Sequence, residues 1–335
     1  MIGWLKQHRI SFDKLSDFEC VAFLFVTNFE YNLLIGENQN QNQKKKTLMK
    51  KALSLFVLIC LSLISVNAQK LENSTLWKIE GNGLEQPSYL FGTIHITCDA
   101  TLDDDVKKAL DNTSQIVLEI DMDDPNMQQK MMQGMYMNEG KTLKTLVSKE
   151  DYQAIDSLFI KNMGMSVKLM ENVKPFFLTA ALYPKLIDCP MQSFEAELIK
   201  IAKEQGEEVN GLETIEEQIK IFDEIPYTDQ AKDLVRSAKD NLEYDKKMFA
   251  KMLDVYTNEN ISEMIEMMND ENFTAVAGHQ DKLLDNRNKN WISKISTYAK
   301  EQPTFFGVGA GHLAGENGVI NLLKAAGYKV TPVLE

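Results

Sequence analysis

The sequence predicts an α/β protein, with a mixed central sheet formed from N- and C-terminal segments, flanking helices and a large helical insertion. Three patterns lead there. Apolar, branched and aromatic residues cluster at 76–79, 88–94 and 115–121, and again at 304–310 and 329–333. The stretch from 125 to about 290 is dominated by helical spacing, broken by one short strand at 208–213. Each end also repeats one unit, an apolar strand followed by Gly-x-x-His, a helix and another strand. One α/β unit with an insertion accounts for this order more simply than two domains.

Taken in order, segments 76–79 and 88–94 flank Gly81, Gly83 and Pro87 and read as a strand pair. Residues 103–112 have helical spacing with acidic residues at the start. Residues 115–121 are apolar on both faces, as a central strand requires. Helices are expected at 125–138, 151–163, 175–187 and 193–205. After the strand at 208–213, Thr214 and Glu217 form a capping-box signature, in which hydroxyl and carboxylate each satisfy an unpaired backbone donor. Glu213 therefore sits at a strand-to-helix junction. Further helices are expected at 228–258, 261–270 and 275–300. The closing strand, helix and strand at 304–310, 317–326 and 329–333 imply a right-handed parallel crossover.

Upstream of these elements, Lys44, Lys45, Lys46, Lys50 and Lys51 precede an apolar run over 52–66. A run of about 15 residues is short for a membrane span, which needs about 20, and Val66-Asn67-Ala68 suits cleavage before Gln69. Residues 49–68 are thus expected to be a signal peptide starting at Met49, 1–48 an upstream or non-native extension, and 69–335 the mature domain. An uncleaved anchor is the alternative. The expected location is periplasmic or secreted, with no stable membrane span after cleavage.

The chain holds 36 Lys or Arg and 49 Asp or Glu, of which eight and five precede residue 69, leaving 28 against 44 and a net charge of −16. That charge repels phosphate backbones, so nucleic acid is excluded as a partner and anionic lipid disfavoured. Oligomeric state is not legible. Cys98 and Cys189 remain in the mature region; in an oxidising compartment they form a disulfide or stay as two thiols, and their spacing does not resemble a zinc site.

The chemistry centres on histidine. Of the three in the mature region, His95 ends Gly92-Thr93-Ile94-His95 and His312 ends Gly309-Ala310-Gly311-His312. Both follow apolar strands, and open sheets collect ligands at the carboxyl ends of their strands. Two halves of one sheet meeting across a pseudo-twofold would bring both imidazoles to one edge, where they suit a divalent cation or acid/base work. Glu119 interrupts an apolar strand, and a buried carboxylate needs a partner or a metal. Its other reading is a solvent-facing residue of an edge strand. Asp121, two residues on, is a possible second ligand. Glu213 is read as a site carboxylate or a cap, and Arg287 and Asn288 as groups orienting an oxyanion or as a solvated helix face. His279 reads as solvated. Met127, Met131, Met132, Met135 and Met137 read as adaptable packing or a lid rather than as ligands.

Five blocks together carry a family resemblance. They are Tyr89-Leu90-Phe91-Gly92-Thr93-Ile94-His95, Val117-Leu118-Glu119-Ile120-Asp121, Gly211-Leu212-Glu213-Thr214 with Glu217-Gln218, Arg287-Asn288 with Trp291, and Gly307-Val308-Gly309-Ala310-Gly311-His312-Leu313. The sequence over about 70–335 resembles the TraB/GumN family, related to the Tiki metalloproteases and more distantly to the erythromycin esterase and ChaN-like group. In Tiki proteins paired Gly-x-x-His motifs and an acidic residue go with metal-dependent peptide cleavage, and the resemblance implies those roles for His95, His312 and Glu119. The esterase-like relatives use similar residues without a metal. No His-Glu-x-x-His helix is present, so an ordinary zinc protease is excluded.

The expectation is an exported, metal-dependent, peptidase-like hydrolase acting on a peptide or small molecule. His95, His312 and Glu119 would hold manganese, cobalt or zinc, while Glu119, Glu213, Arg287 and Asn288 complete the site. The alternatives are a non-catalytic binding protein for a ligand or haem, and a metal-independent esterase-like hydrolase with His95 as base.

Overall fold

Five strands of a six-stranded mixed sheet run in the same direction, and the first strand of the chain alone runs against them. A computed structural model of the chain describes residues 71–334, and the expected signal segment and upstream extension lie outside the described residues. The strands are β1 (Leu76–Glu80), β2 (Ser88–Thr93), β3 (Gln115–Ile120), β4 (Val209–Glu213), β5 (Thr304–Gly309) and β6 (Lys329–Pro332), in the sheet order β4-β3-β5-β2-β1-β6. β2, β3, β4 and β5 are mutually parallel, and β1 pairs antiparallel with both β2 and β6.

The strand from the C-terminal segment thus lies between the two strands of the N-terminal unit. Both Gly-x-x-His units start on neighbouring strands, β2 and β5, and cross each other on their way to β3 and β6. α1 (Asp104–Asp111) connects β2 to β3 and packs Val106, Ala109 and Leu110 on one face with Leu76, Phe91, Ile116 and Phe305. α2 (Val319–Ala325) connects β5 to β6 and packs Val319, Ile320 and Leu323 on the other face with Trp77, Leu90, Val117 and Phe306. Alternate residues of each strand divide between the two cores, as the two-residue period of a strand requires. The crossover from β5 reaches β6 past β2 and β1 rather than beside β5. β3 is buried at every position.

Between β3 and β5 the chain is largely helical, through α3 (Met127–Gly134), α4 (Lys149–Met163), α5 (Pro175–Ala180), α6 (Phe194–Gln205), α7 (Ile215–Glu224), α8 (Tyr227–Lys239), α9 (Glu243–Thr257), α10 (Ile261–Met267) and α11 (Asn286–Glu301). The expected helix at 228–258 is two helices, because Asn241 and Leu242 adopt left-handed backbone angles at the break. The expected helix at 175–187 stops at Ala180 and is followed by a short turn carrying Pro184. The run at 275–300 is broken too, with a π-helical turn at Asp281–Asp285 before α11. On α11, Asn288, Trp291, Ile295 and Ala299 recur at helical spacing and are buried, which lays this stripe against the sheet. α3 buries none of its residues, and Met131 and Met132 are exposed. Among the described residues no helix is long and apolar enough to cross a membrane.

Candidate functional site

The parallel strands end together, and their carboxyl ends carry the residues singled out in the sequence. β2 and β5 pair in register up to Thr93 opposite Gly309, and β3 and β4 up to Ile120 opposite Glu213. A Cβ added to Gly309 would stand 3.7 Å from His95 Nε2, 3.7 Å from His312 Cδ2 and 3.2 Å from Glu119 Oε1. Both imidazoles and the carboxylate therefore surround one backbone position, where a side chain would crowd the Glu119 carboxylate. Close approach also holds β4 against the end of β3, where a Cβ on Gly211 would meet Asp121 N at 2.5 Å.

His95 is the outward member. Its side chain is 67% exposed, while Nδ1 meets Glu195 Oε1 at 2.8 Å. Glu195 lies in the first turn of α6, where Ser193 is the N-cap, and its carboxylate also accepts from Thr93 Oγ1 and Ser193 Oγ. Burial of the inner edge of the ring works against its charge. The hydrogen bond and the negative charge of Glu195 outweigh that and raise the His95 pKa to about 9. Burial would likewise raise the Glu195 pKa, but the bond to His95 and its charge lower it to about 2. Nε2 of His95 has no hydrogen-bond partner among the described residues. Nothing in the sequence singles out Glu195, which looks like any first-turn carboxylate complementing a helix N-terminus.

A disulfide braces this pair. Cys98 and Cys189 are bonded, and next to them Thr97 and Gln192 exchange two backbone hydrogen bonds. The loop that follows His95 is thereby tied to the segment that leads into Glu195. Replacing both cysteines with serine should lower stability by roughly 2–4 kcal/mol. Urea unfolding checks this, and an unchanged midpoint would contradict it.

Behind His95 lies a closed network around Arg287. Glu119 is buried on β3, accepting from Gly309 N at 2.8 Å and from Arg287 Nη2 at 2.6 Å. Glu213, also buried, accepts from Arg287 Nε and Nη2 and from Trp291 Nε1. Gln218, one turn into α7 from its capping box, bridges the two carboxylates through Nε2. Arg287 Nη1 donates to Leu283 O in the π-helical turn and to His312 Nε2, at 2.9 and 3.0 Å. All five N–H donors of the guanidinium are in use. Burial would raise the Glu119 pKa, yet the Arg287 charge holds it well below the usual carboxylate range.

His312 is sealed rather than exposed, with a relative accessibility of 4%. Nδ1 bonds to Asn288 Oδ1, Nε2 accepts from Arg287, and the ring rests on Trp291 at 4.5 Å between centroids. Desolvation and then the Arg287 charge push its pKa down to about 3, so it is neutral. Asn288 is fully engaged with His312 and with Asn317 O. Neither Arg287 nor Asn288 thus has a donor to spare for an oxyanion in this arrangement. Asp121 lies past the end of β3, exposed, and caps the turn to Asp123. His279 is not solvated as expected: it is half-buried and faces Asp229 at 3.3 Å.

With Arg287 in place, the expected divalent cation does not fit this donor set. Among the described residues no group of three or more His, Cys, Asp or Glu side chains is placed to hold a metal. The cause is visible in the bonds: Arg287 takes the lone pair of His312 Nε2 and an oxygen of Glu119, which leaves His95 Nε2 as the one ligand atom without a partner.

No solved structure matches the chain. Among curated proteins it is similar to the metalloprotease TIKI2 of Danio rerio, at 21% identity over 329 residues, covering 78% of this chain and 61% of that protein. The chain therefore spans about three fifths of the length of that relative. Residues 75–332 match the TraB/PrgY/gumN family, a span that takes in the sheet and every residue of the site, and the chain belongs to that family.

Proposed function

We propose that the protein is an exported hydrolase in which His95, oriented by Glu195, moves the proton of the attacking water. The observation that carries this reading is the unpartnered Nε2 of His95 at the exposed mouth of the site, with Nδ1 fixed by a carboxylate. In its neutral form, Nε2 takes a proton from water as the oxygen attacks a carbonyl, Glu195 stabilises the imidazolium that forms, and the same proton passes to the leaving nitrogen or oxygen as its bond to the carbonyl carbon breaks. Arg287, Glu213 and Gln218 hold the neighbouring Glu119 ionised and still, so the site keeps a fixed negative wall behind His95. The kinship with a metalloprotease favours amide or peptide bonds as substrate.

Export is supported by the basic and apolar stretch at 44–66 and by the Cys98–Cys189 disulfide, since such bonds persist in oxidising compartments. The deciding experiment screens the purified protein against peptide and ester libraries, with His95→Ala as control. Cleavage that survives the substitution would sink the proposal, and a bound ligand without turnover would favour a binding protein.

A second reading, a metal-dependent peptidase, is favoured by the name of the relative and by one feature of the rings. Each imidazole is held through Nδ1, His95 by Glu195 and His312 by Asn288, which is how metal-binding histidines are commonly oriented. Activity abolished by a chelator and restored by manganese, cobalt or zinc would select this reading.

A further inference from the structure

We propose that Arg287 is the resident cation of this site, and that a divalent ion reaches His95, His312 and Glu119 only by displacing the guanidinium. The inference concerns the site of the proposed hydrolase but rests on which cation occupies it, not on turnover. Two buried carboxylates, Glu119 and Glu213, require a positive charge between them. Arg287 supplies it, touching both at 2.6 Å through Nη2. The same guanidinium donates to the ring nitrogen that His312 would offer a metal. A metal and Arg287 thus compete for one oxygen ligand and one nitrogen ligand. The competition is unequal, because leaving would cost Arg287 its bonds to Glu119 and His312 while Glu213, Leu283 and Trp291 still hold it from the other side.

The test titrates zinc or manganese alone into the wild type and into Arg287→Met, reading affinity by calorimetry and bound metal after dialysis. Removing the competitor should tighten binding by at least about a hundredfold, and adding His95→Ala to that variant should abolish the gain. A folded Arg287→Met that binds no tighter than the wild type overturns the proposal. Where that variant does not fold, a crystal structure of the wild type at saturating zinc decides. An ion on His312 with Arg287 swung away from Glu119 supports the proposal. An ion there with Arg287 still in place overturns it, and so does the lack of any ion, because the guanidinium then cannot be displaced. Neither arm reads hydrolysis, so an inactive protein leaves both outcomes interpretable, and an active one does not prejudge them.

Discussion

Replacing His95 by alanine should lower kcat/KM on a cleaved substrate by roughly a hundred- to ten-thousandfold, the usual contribution of a positioned proton-transfer group, with a loss of stability limited to its pair with Glu195, whose carboxylate keeps its bonds from Thr93 and Ser193. The ring is mostly in water, so its removal leaves no cavity. A pH profile distinguishes this role from mere packing. Only neutral imidazole accepts a proton, and Glu195 holds the His95 pKa at about 9. Below that value the competent fraction grows about tenfold per pH unit. The rate should therefore climb from pH 6 and level off near pH 9. In Glu195→Gln the hydrogen-bonding shape survives without the charge, so the plateau should begin at lower pH. A flat profile between pH 6 and 9 in the wild type would remove His95 from the role of base.

Substituting Arg287 with leucine should destabilise the fold by about 3–5 kcal/mol at neutral pH, the cost typical of breaking a buried ion pair on one side. The substitution leaves the Glu119 carboxylate buried beside a second carboxylate with no positive charge in direct contact. In the wild type, Glu119 has its pKa depressed, so its contribution is present above the ordinary carboxylate value and fades as the pH falls toward the folded value. In the variant, burial is opposed chiefly by the more distant His95 charge and the Gly309 N–H, so the protonated form is favoured more than in the wild type and acid relieves part of the strain there. The gap between the two proteins should consequently narrow from pH 7 to pH 4.5 in urea unfolding. An equal gap at both values would mean that Arg287 contributes through packing on Trp291 rather than through charge.

Much of this site could be read along the chain, and the unread part has a common cause. Paired Gly-x-x-His motifs after apolar strands pointed to one sheet edge, and a lone carboxylate inside the apolar run 116–120 marked Glu119. Strand periodicity is a local property, and these residues obey it. What could not be read is how partners are divided. Arg287 lies on a helix whose exposed face carries other polar residues, and nothing local says that all its donors turn inward onto β3 and β4. Glu195 is a hundred residues from His95, and only the pairing of Cys98 with Cys189 hints that their segments meet. For the same reason His312 looked equivalent to His95 in the sequence although one ring is buried and the other open: Asn288 and Trp291, which cover the first, come from elsewhere in the chain. The division of 228–258 into two helices was hidden too, since neither glycine nor proline marks the bend at Asn241 and Leu242.

The placement of β5 bears on how the molecule is made. A segment synthesised long after β2 and β3 is the partner that both await, so until it emerges those two strands have an unfilled gap between them. Pairings that span some two hundred residues form slowly. The cluster around Gly309 is assembled only when residues 304–309 have slotted home, so the whole site waits on one late insertion.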